Sequence, residues 1–361
     1  MSGRTDHATE PGARGERADD DLVGLDEIRA AAERLRGVPR RTPLHPTELG
    51  GDGEEGRGRP VWLKCESLQH GGAFKVRGAY NFVSRLSPEE REAGLITFSS
   101  GNHAQGVAYA AREFGLEALI VMPEDAPEVK REATRALGGR IVFEGYTTEE
   151  RKGRALEIAA EEGYTVVPPF DHRDIIAGQG TVGLEIVEQL REDARRSGAD
   201  PDEAASSPGL VVVPIGGGGL LSGTAAAIRD LAPECRVVGV EPEGAASMKA
   251  SLDAGEPVTL DEVDSIADGL KPVRPGDVTF RHVRELVDEV VTVTDRAIRE
   301  ATVWCAREHL VVEPSGAATV AALASGRVPG HPLDPAEGAT VAVLSGGNVD
   351  MDLLGRWLIE A

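Results

Sequence analysis

Short apolar runs alternate with longer amphipathic ones along most of this chain, and no other feature restricts its fold as much. Leu95–Phe98, 117–122, Arg140–Phe143 and 164–167 are strand-sized and rich in β-branched residues. Asn102–Phe114, 127–137 and Thr148–Glu162 lie between them and have helical spacing. Strands followed by helices of this length make βαβ units and therefore a parallel sheet. A second alternation begins after Gly180, with a helix over 181–196 and strands over 210–215, 236–240 and 339–344. The run at 210–215 is almost uninterruptedly apolar, as in a strand buried on both faces. A helix over 220–231 follows it, so the fold class is α/β. Nearer the start, 25–35 has the pattern of an amphipathic helix and 61–64 of a short strand. The turn-rich stretch 50–60 and the acidic stretch 197–209 read as exposed loops. Residues 1–20 read as a disordered polar and acidic tail without the apolar segment of a secretory signal. No apolar run approaches the ~20 residues of a membrane span.

Strand 210–215 runs into Gly216, Gly217, Gly218 and Gly219, and then into a helix. That order is phosphate-binding grammar: bare backbone approaches an anion, and the helix start adds positive potential. A dinucleotide motif, G-x-G-x-x-G, fails, because Leu221 or Ser222 stands at its last glycine. A nucleotide P-loop fails at Thr224, where lysine is required. A smaller phosphate remains, such as a cofactor monophosphate; so does a tight turn that merely packs helix on strand.

Only 6 of the 39 basic residues are lysine. One of them, Lys75, sits among small and apolar neighbours in Gly71-Gly72-Ala73-Phe74-Lys75-Val76-Arg77-Gly78-Ala79. Burial disfavours an ammonium, and a neutral amine condenses with an aldehyde cofactor. Here the chain resembles a known family. The segment GAFKVRGA resembles the lysine motif of fold type II pyridoxal-phosphate enzymes. Ser99-Ser100-Gly101-Asn102-His103-Ala104-Gln105 resembles their S-S-G-N-H-A-Q loop. The glycine row, IIAGQGT from Ile175, IADGL from Ile266 and Ser345-Gly346-Gly347-Asn348 resemble further elements, in family order from Thr42 to Asp350. Cysteine synthases carry S-V-K-D-R and threonine synthases S-F-K-D-R. Lys-Val-Arg-Gly-Ala with Gly-Asn-His is instead similar to the threonine/serine dehydratases and the serine racemases.

The resemblance implies two parallel-type sheets wrapped by helices. A small domain, 95–174, is inserted in a large pyridoxal-phosphate-binding domain, 21–94 and 175–361. It implies that Lys75 holds pyridoxal 5′-phosphate as a Schiff base and moves the substrate Cα proton. Ser100 is a second acid/base candidate on the opposite face. Phe74 and the Gly269 backbone would cover the two ring faces, and Asn102 would meet the ring oxygen. Gly216, Gly217, Gly218 and Gly219 would hold the phosphate. Ser99, Ser100, Asn102 and His103 would hold the substrate carboxylate, although His103 reads equally as a structural helix-start histidine. Ser345 would meet the ring nitrogen; a hydroxyl there makes the ring a weaker electron sink than a carboxylate would, which favours expulsion of a β-hydroxyl. The implied reaction is deamination of L-threonine or L-serine to 2-oxobutanoate or pyruvate and ammonia. Serine racemase, D-serine or 3-hydroxyaspartate dehydratase are the alternatives on the same scaffold. A nucleotide-binding dehydrogenase or an amino-acid-binding module is the alternative of another class.

Two positions depart from the family pattern. Ala73 replaces the usual serine two residues before the lysine. In the cation site of some relatives, Glu241 and Ala245 match but Ser247 replaces an aspartate, so any cation there would be weakly held. A net charge of −22 makes nucleic acid and anionic membranes poor partners. With so few lysines it reads as halophilic adaptation, or simply as an acidic protein. Three scattered cysteines, Cys65, Cys235 and Cys305, fit a reducing cytoplasm. The partner implied is a small amino acid. The chain is expected to form a homodimer or homotetramer, and no appended regulatory domain is expected after Asp350.

Overall fold

A computed structural model describes residues 22–50, 59–99, 101–126, 128–203, 206–331 and 337–361. The tail expectation for 1–20 and the catalytic candidate Ser100 lie outside these residues. The chain forms two mainly parallel sheets with helices on both faces, so it is α/β as expected. The strands are β1 (Leu44–Leu49), β2 (Arg59–Lys64), β3 (Leu95–Phe98), β4 (Ala118–Met122), β5 (Arg140–Phe143), β6 (Thr165–Val166), β7 (Pro208–Pro214), β8 (Arg236–Pro242), β9 (Glu289–Val293) and β10 (Ala339–Val343). One sheet has the order β1-β2-β10-β7-β8-β9, the other β5-β4-β3-β6. The second is built wholly from residues 95–166. β1 pairs antiparallel with β2, with Leu44 opposite Lys64; every other pairing is parallel.

Alternate residues of one strand point to opposite faces, and here both faces are apolar. Leu210 and Val212 of β7 pack with the helices Asp295–Arg307 and Pro314–Ala324. Val211 and Val213 pack with the helices Arg173–Ser197, Gly219–Leu231 and Asp277–Leu286. In the smaller sheet, Ala118, Ile120 and Met122 face the helices Lys75–Arg85 and Asn102–Phe114, while Leu119 and Val121 face Thr148–Glu162. Each of these valine, leucine, isoleucine and methionine side chains adds roughly 1.5–3 kcal/mol on burial.

Several elements differ from the sequence reading. β1 was not anticipated, because Pro46 interrupts its pattern; proline is tolerated in this outermost strand. The stretch 50–60 gives its last two residues to β2, and the acidic stretch 197–209 gives Ser197 to the preceding helix and Pro208 and Gly209 to β7. Finally, the helix expected over 181–196 begins at Arg173. Its early glycines oppose helix formation alone, but tertiary contact overrides that preference. A Cβ on Gly178 would stand 2.6 Å from the Arg77 carbonyl oxygen and 2.7 Å from the Gly78 Cα, so the two helices touch backbone to backbone.

That crossing reverses the usual effect of alanine. Gly178→Ala should lower stability by ~1–3 kcal/mol through overpacking. Gly153, in the middle of the helix Thr148–Glu162, has no atom within 4 Å of its would-be Cβ. Gly153→Ala should raise stability by roughly 0.5–1 kcal/mol. Urea midpoints of the two variants should therefore move in opposite directions.

Candidate active site

The segment before Lys75 is pinned to the end of β10. Ala73 bridges Gly346, and the Phe74 N–H donates to the Ser345 carbonyl at 3.1 Å. Lys75 then opens its helix, two residues before Arg77. The Arg77 guanidinium is fully buried. It donates through Nε and Nη2 to Glu66, both at 2.8 Å, and through Nη1 and Nη2 to Glu185, at 2.7 and 2.9 Å. Lys64, also fully buried, donates to Glu185 at 2.6 Å and to the Thr42 carbonyl at 2.9 Å. This cluster ties β2, the Lys75 helix and the long helix Arg173–Ser197 together. Burial alone would raise the Glu66 carboxyl, but Arg77 and Lys64 beside it outweigh that and hold it below the usual range.

The Lys75 amine donates to the Pro169 carbonyl at 2.7 Å, and burial lowers its pKa to about 8. The next residue, Phe170, leads to the glycine row. Its ring occupies the place a Cβ on Gly217 would take, and its Cβ would lie 3.1 Å from one on Gly219. The amine and the row therefore meet across one two-residue segment. Gly218 has φ of 96°, the left-handed region open to glycine, and caps the helix Gly219–Leu231. A Cβ on Gly216 would stand 2.9 Å from the Gly269 carbonyl oxygen, so Gly269 faces the row. The Thr279 hydroxyl donates to the Gly217 carbonyl at 2.7 Å, and Asp171 accepts from the first amides of the helix that carries Thr279. The row is a cradle of bare backbone at a helix start.

Asn102 and His103 begin the helix that runs to Phe114. Asn102 Nδ2 donates to Glu313 Oε1 at 2.6 Å, and its Oδ1 accepts from Asn348 Nδ2 at 2.8 Å. His103 Nε2 lies 3.1 Å from the Val167 carbonyl. Burial, and then the neighbouring Lys75, push its pKa down to about 3, so the ring is neutral and Nε2 carries the proton. Ser99 Oγ accepts from the Gly101 amide at 3.3 Å. Ser345 is buried below the Lys75 segment. Gly269 N donates to Ser315 Oγ at 2.9 Å. A succession of short contacts thus links Lys75, Phe74, Asn102, Ser345, Gly269 and the glycine row.

Glu241, the last residue but one of β8, accepts from the Met248 and Lys249 amides at 2.8 and 2.9 Å, at the start of the helix Ser247–Ala254. Burial pushes its carboxyl up to about 7. Ser247 Oγ donates to the Pro272 carbonyl at 3.1 Å, and Ala245 lies in the intervening turn. A cation at Glu241 would have to compete with both amides.

Two features escaped the sequence reading. Lys64, Glu66 and Glu185 looked like ordinary charges; the one hint was a lysine and a glutamate closing an apolar strand, VWLKCE. Glu313 is a buried acid at the start of an otherwise apolar helix, and its isolation in VVEPSGAATVAALA was the signal.

The family described as "Pyridoxal-phosphate dependent enzyme" matches residues 35–346. Among curated relatives, an L-threonine ammonia-lyase of Thermotoga maritima is 40% identical, over 93% of this chain and 78% of that one. An L-threo-3-hydroxyaspartate ammonia-lyase of a Pseudomonas species is 42% identical, over 84% and 89%. Among solved structures, maize serine racemase superposes with a TM-score of 0.82 at 35% identity, over 94% and 98%.

An amine that loses its proton near pH 8 captures an aldehyde faster as pH rises, because only the neutral form is nucleophilic. Capture of pyridoxal 5′-phosphate by the cofactor-free protein, followed at the yellow absorbance band, should accelerate up to about pH 8 and level off above it. Lys75→Arg should abolish the borohydride-reducible band.

Proposed function

The chain belongs to the pyridoxal-phosphate dependent enzyme family, and from that premise we propose that it is an ammonia-lyase for L-threonine or L-serine. Its cofactor is pyridoxal 5′-phosphate. The residues present fit that group: a lysine with a lowered pKa stands near a turn of four glycines at a helix start, where the backbone carries no side chain of its own. Lys75 would hold it, the row Gly216, Gly217, Gly218 and Gly219 its phosphate, Asn102 its ring oxygen and Ser345 its ring nitrogen. Phe74 and Gly269 would enclose the ring. When bound, the cofactor withdraws electrons and makes the substrate Cα proton acidic.

The observation that carries the reading is the Lys75 amine, buried and held by one carbonyl. It takes the Cα proton as a base whose pKa is already close to neutral. The Cα proton and the β-hydroxyl together are lost as one water, and hydrolysis of the remaining enamine takes up one water and yields the 2-oxo acid and ammonia. We assign the substrate carboxylate to Ser99, Ser100, Asn102 and His103, of which the last two open the helix Asn102–Phe114. There the free backbone amides and the helix dipole favour an anion. With its Nε2–H given to Val167, His103 serves this site through its backbone rather than its ring. Residues 95–174 act as a small domain over the large one, 21–94 and 175–361, and shield the site from water; the separate four-stranded sheet supports this division.

A second reading has specific support, since a serine racemase and a 3-hydroxyaspartate ammonia-lyase are as similar to this chain as the threonine enzymes are. Parallel assays of L-threonine, L-serine, D-serine and L-threo-3-hydroxyaspartate separate these activities. The expected products are 2-oxobutanoate and pyruvate, each with equimolar ammonia. Net inversion of serine without ammonia would replace the lyase reading by racemisation, and turnover confined to 3-hydroxyaspartate would move the substrate. Lys75→Ala should cost at least about 10²-fold in kcat on whichever substrate is used.

A further inference from the structure

Glu313 is a buried carboxyl at the active site that the reaction above leaves without a task. It is 4% exposed and precedes the helix Pro314–Ala324. Its backbone N–H donates to the Gly346 carbonyl at 3.0 Å, which fixes it beside the loop that carries Ser345. Its Oε1 accepts one N–H of Asn102 at 2.6 Å, and Asn348 Nδ2 donates both to Asn102 Oδ1 and to the Gly71 carbonyl, each at 2.8 Å. An amide has one carbonyl and two N–H groups. With the carbonyl on Asn348 and one N–H on Glu313, Asn102 keeps a single N–H for anything else.

The surroundings of Glu313 are specific. From the turn Asp268–Leu270, Asp268 brings a second negative charge, and Lys130 of the helix Glu128–Ala136 pairs with Asp268. From the helix Asn102–Phe114 the facing group is the Asn102 amide; from the loop after β10 they are the Gly346 backbone and Asn348. On its own helix, Ser315 is turned to Gly269. Burial, and then Asp268, push the carboxyl up to about 7, while Asn102 and Lys130 pull the other way.

We propose that Glu313 is a positioning residue that aims the Asn102 amide at the cofactor's ring oxygen and, by gaining or losing its own proton, sets how firmly that oxygen keeps its proton. The inference rests on the reading that Asn102 meets the ring. A carboxylate at Glu313 places negative charge one residue away from the ring oxygen, which disfavours an anionic oxygen. A protonated Glu313 removes that penalty and still accepts from Asn102 through its carbonyl oxygen. The ring's electronic state then follows pH through a group that never touches substrate.

The test is a spectrophotometric pH titration of the bound cofactor in the intact holoenzyme, with cofactor content measured separately in each variant. The wild type should show a transition with a midpoint near pH 7. Glu313→Gln should abolish that transition while the cofactor stays bound. Asp268→Asn removes a like charge and should move the midpoint down; Lys130→Met removes a cation and should move it up. Asp268 is half-exposed, so its variant folds even if Glu313→Gln does not. A wild-type transition in Glu313→Gln overturns the proposal, and so do unchanged midpoints in both charge variants. Asn102→Ala separates this failure from that of the underlying reading. If it leaves the spectrum as in wild type, Asn102 does not meet the ring. If it alters the spectrum while the other three variants do not, the Asn102 reading stands and the role of Glu313 falls.

Discussion

The buried fork between Arg77, Glu66 and Glu185 holds together the parts on which the active site depends. Such a pair is not a large source of net stability, because desolvating its charges offsets most of their attraction. Removing one partner is different: it strands a buried charge, typically at ~3–5 kcal/mol. The effect here is geometric. Arg77 lies two residues from Lys75 on one helix, and four of its hydrogen bonds go to two carboxylates from two other elements. With Lys64 in the same cluster, two cations balance two anions, and the helix can neither slide nor turn without breaking several charge-assisted bonds at once. The backbone contact of Gly178 with Arg77 and Gly78 closes the remaining side.

Upon that frame the site gains its chemistry by withholding charge. Burial lowers Lys75 and His103, and raises Glu313 and Glu241, so in all four the neutral form is favoured over the charged one. The contrast with Arg77 and Glu66 is instructive. Those two are buried as deeply, but each meets an opposite charge at hydrogen-bond distance and stays ionised. Charge is kept where a fixed scaffold is needed and suppressed where protons must move.

Much of this was legible beforehand, for physical reasons. Strand–helix alternation survives in sequence because each element has its own period, and helices such as Asn102–Phe114 were bounded to the residue. The turn at the glycine row was legible because a strand, four glycines and a helix follow one another in that order. What stayed hidden was what depends on distant partners. The first turns of the helix at Arg173 contain glycines that only a second helix makes tolerable. The strand Leu44–Leu49 contains a proline that only its place at the sheet edge permits. Lys64, Glu66, Glu185 and Glu313 carry side chains that in isolation read as surface. The same charge that marks solvent in one place marks a buried network in another, and only three-dimensional proximity tells them apart.

The ring of Phe170 against Gly217 has an evolutionary corollary. The main chain there is the same for every codon, and any carbon added at Gly217 collides with the aromatic wall. Inherited change has almost no purchase on the cradle itself. Descendants of such a gene that acquire new substrates must vary the outlying letters, such as Ala73, around a core that drift cannot edit.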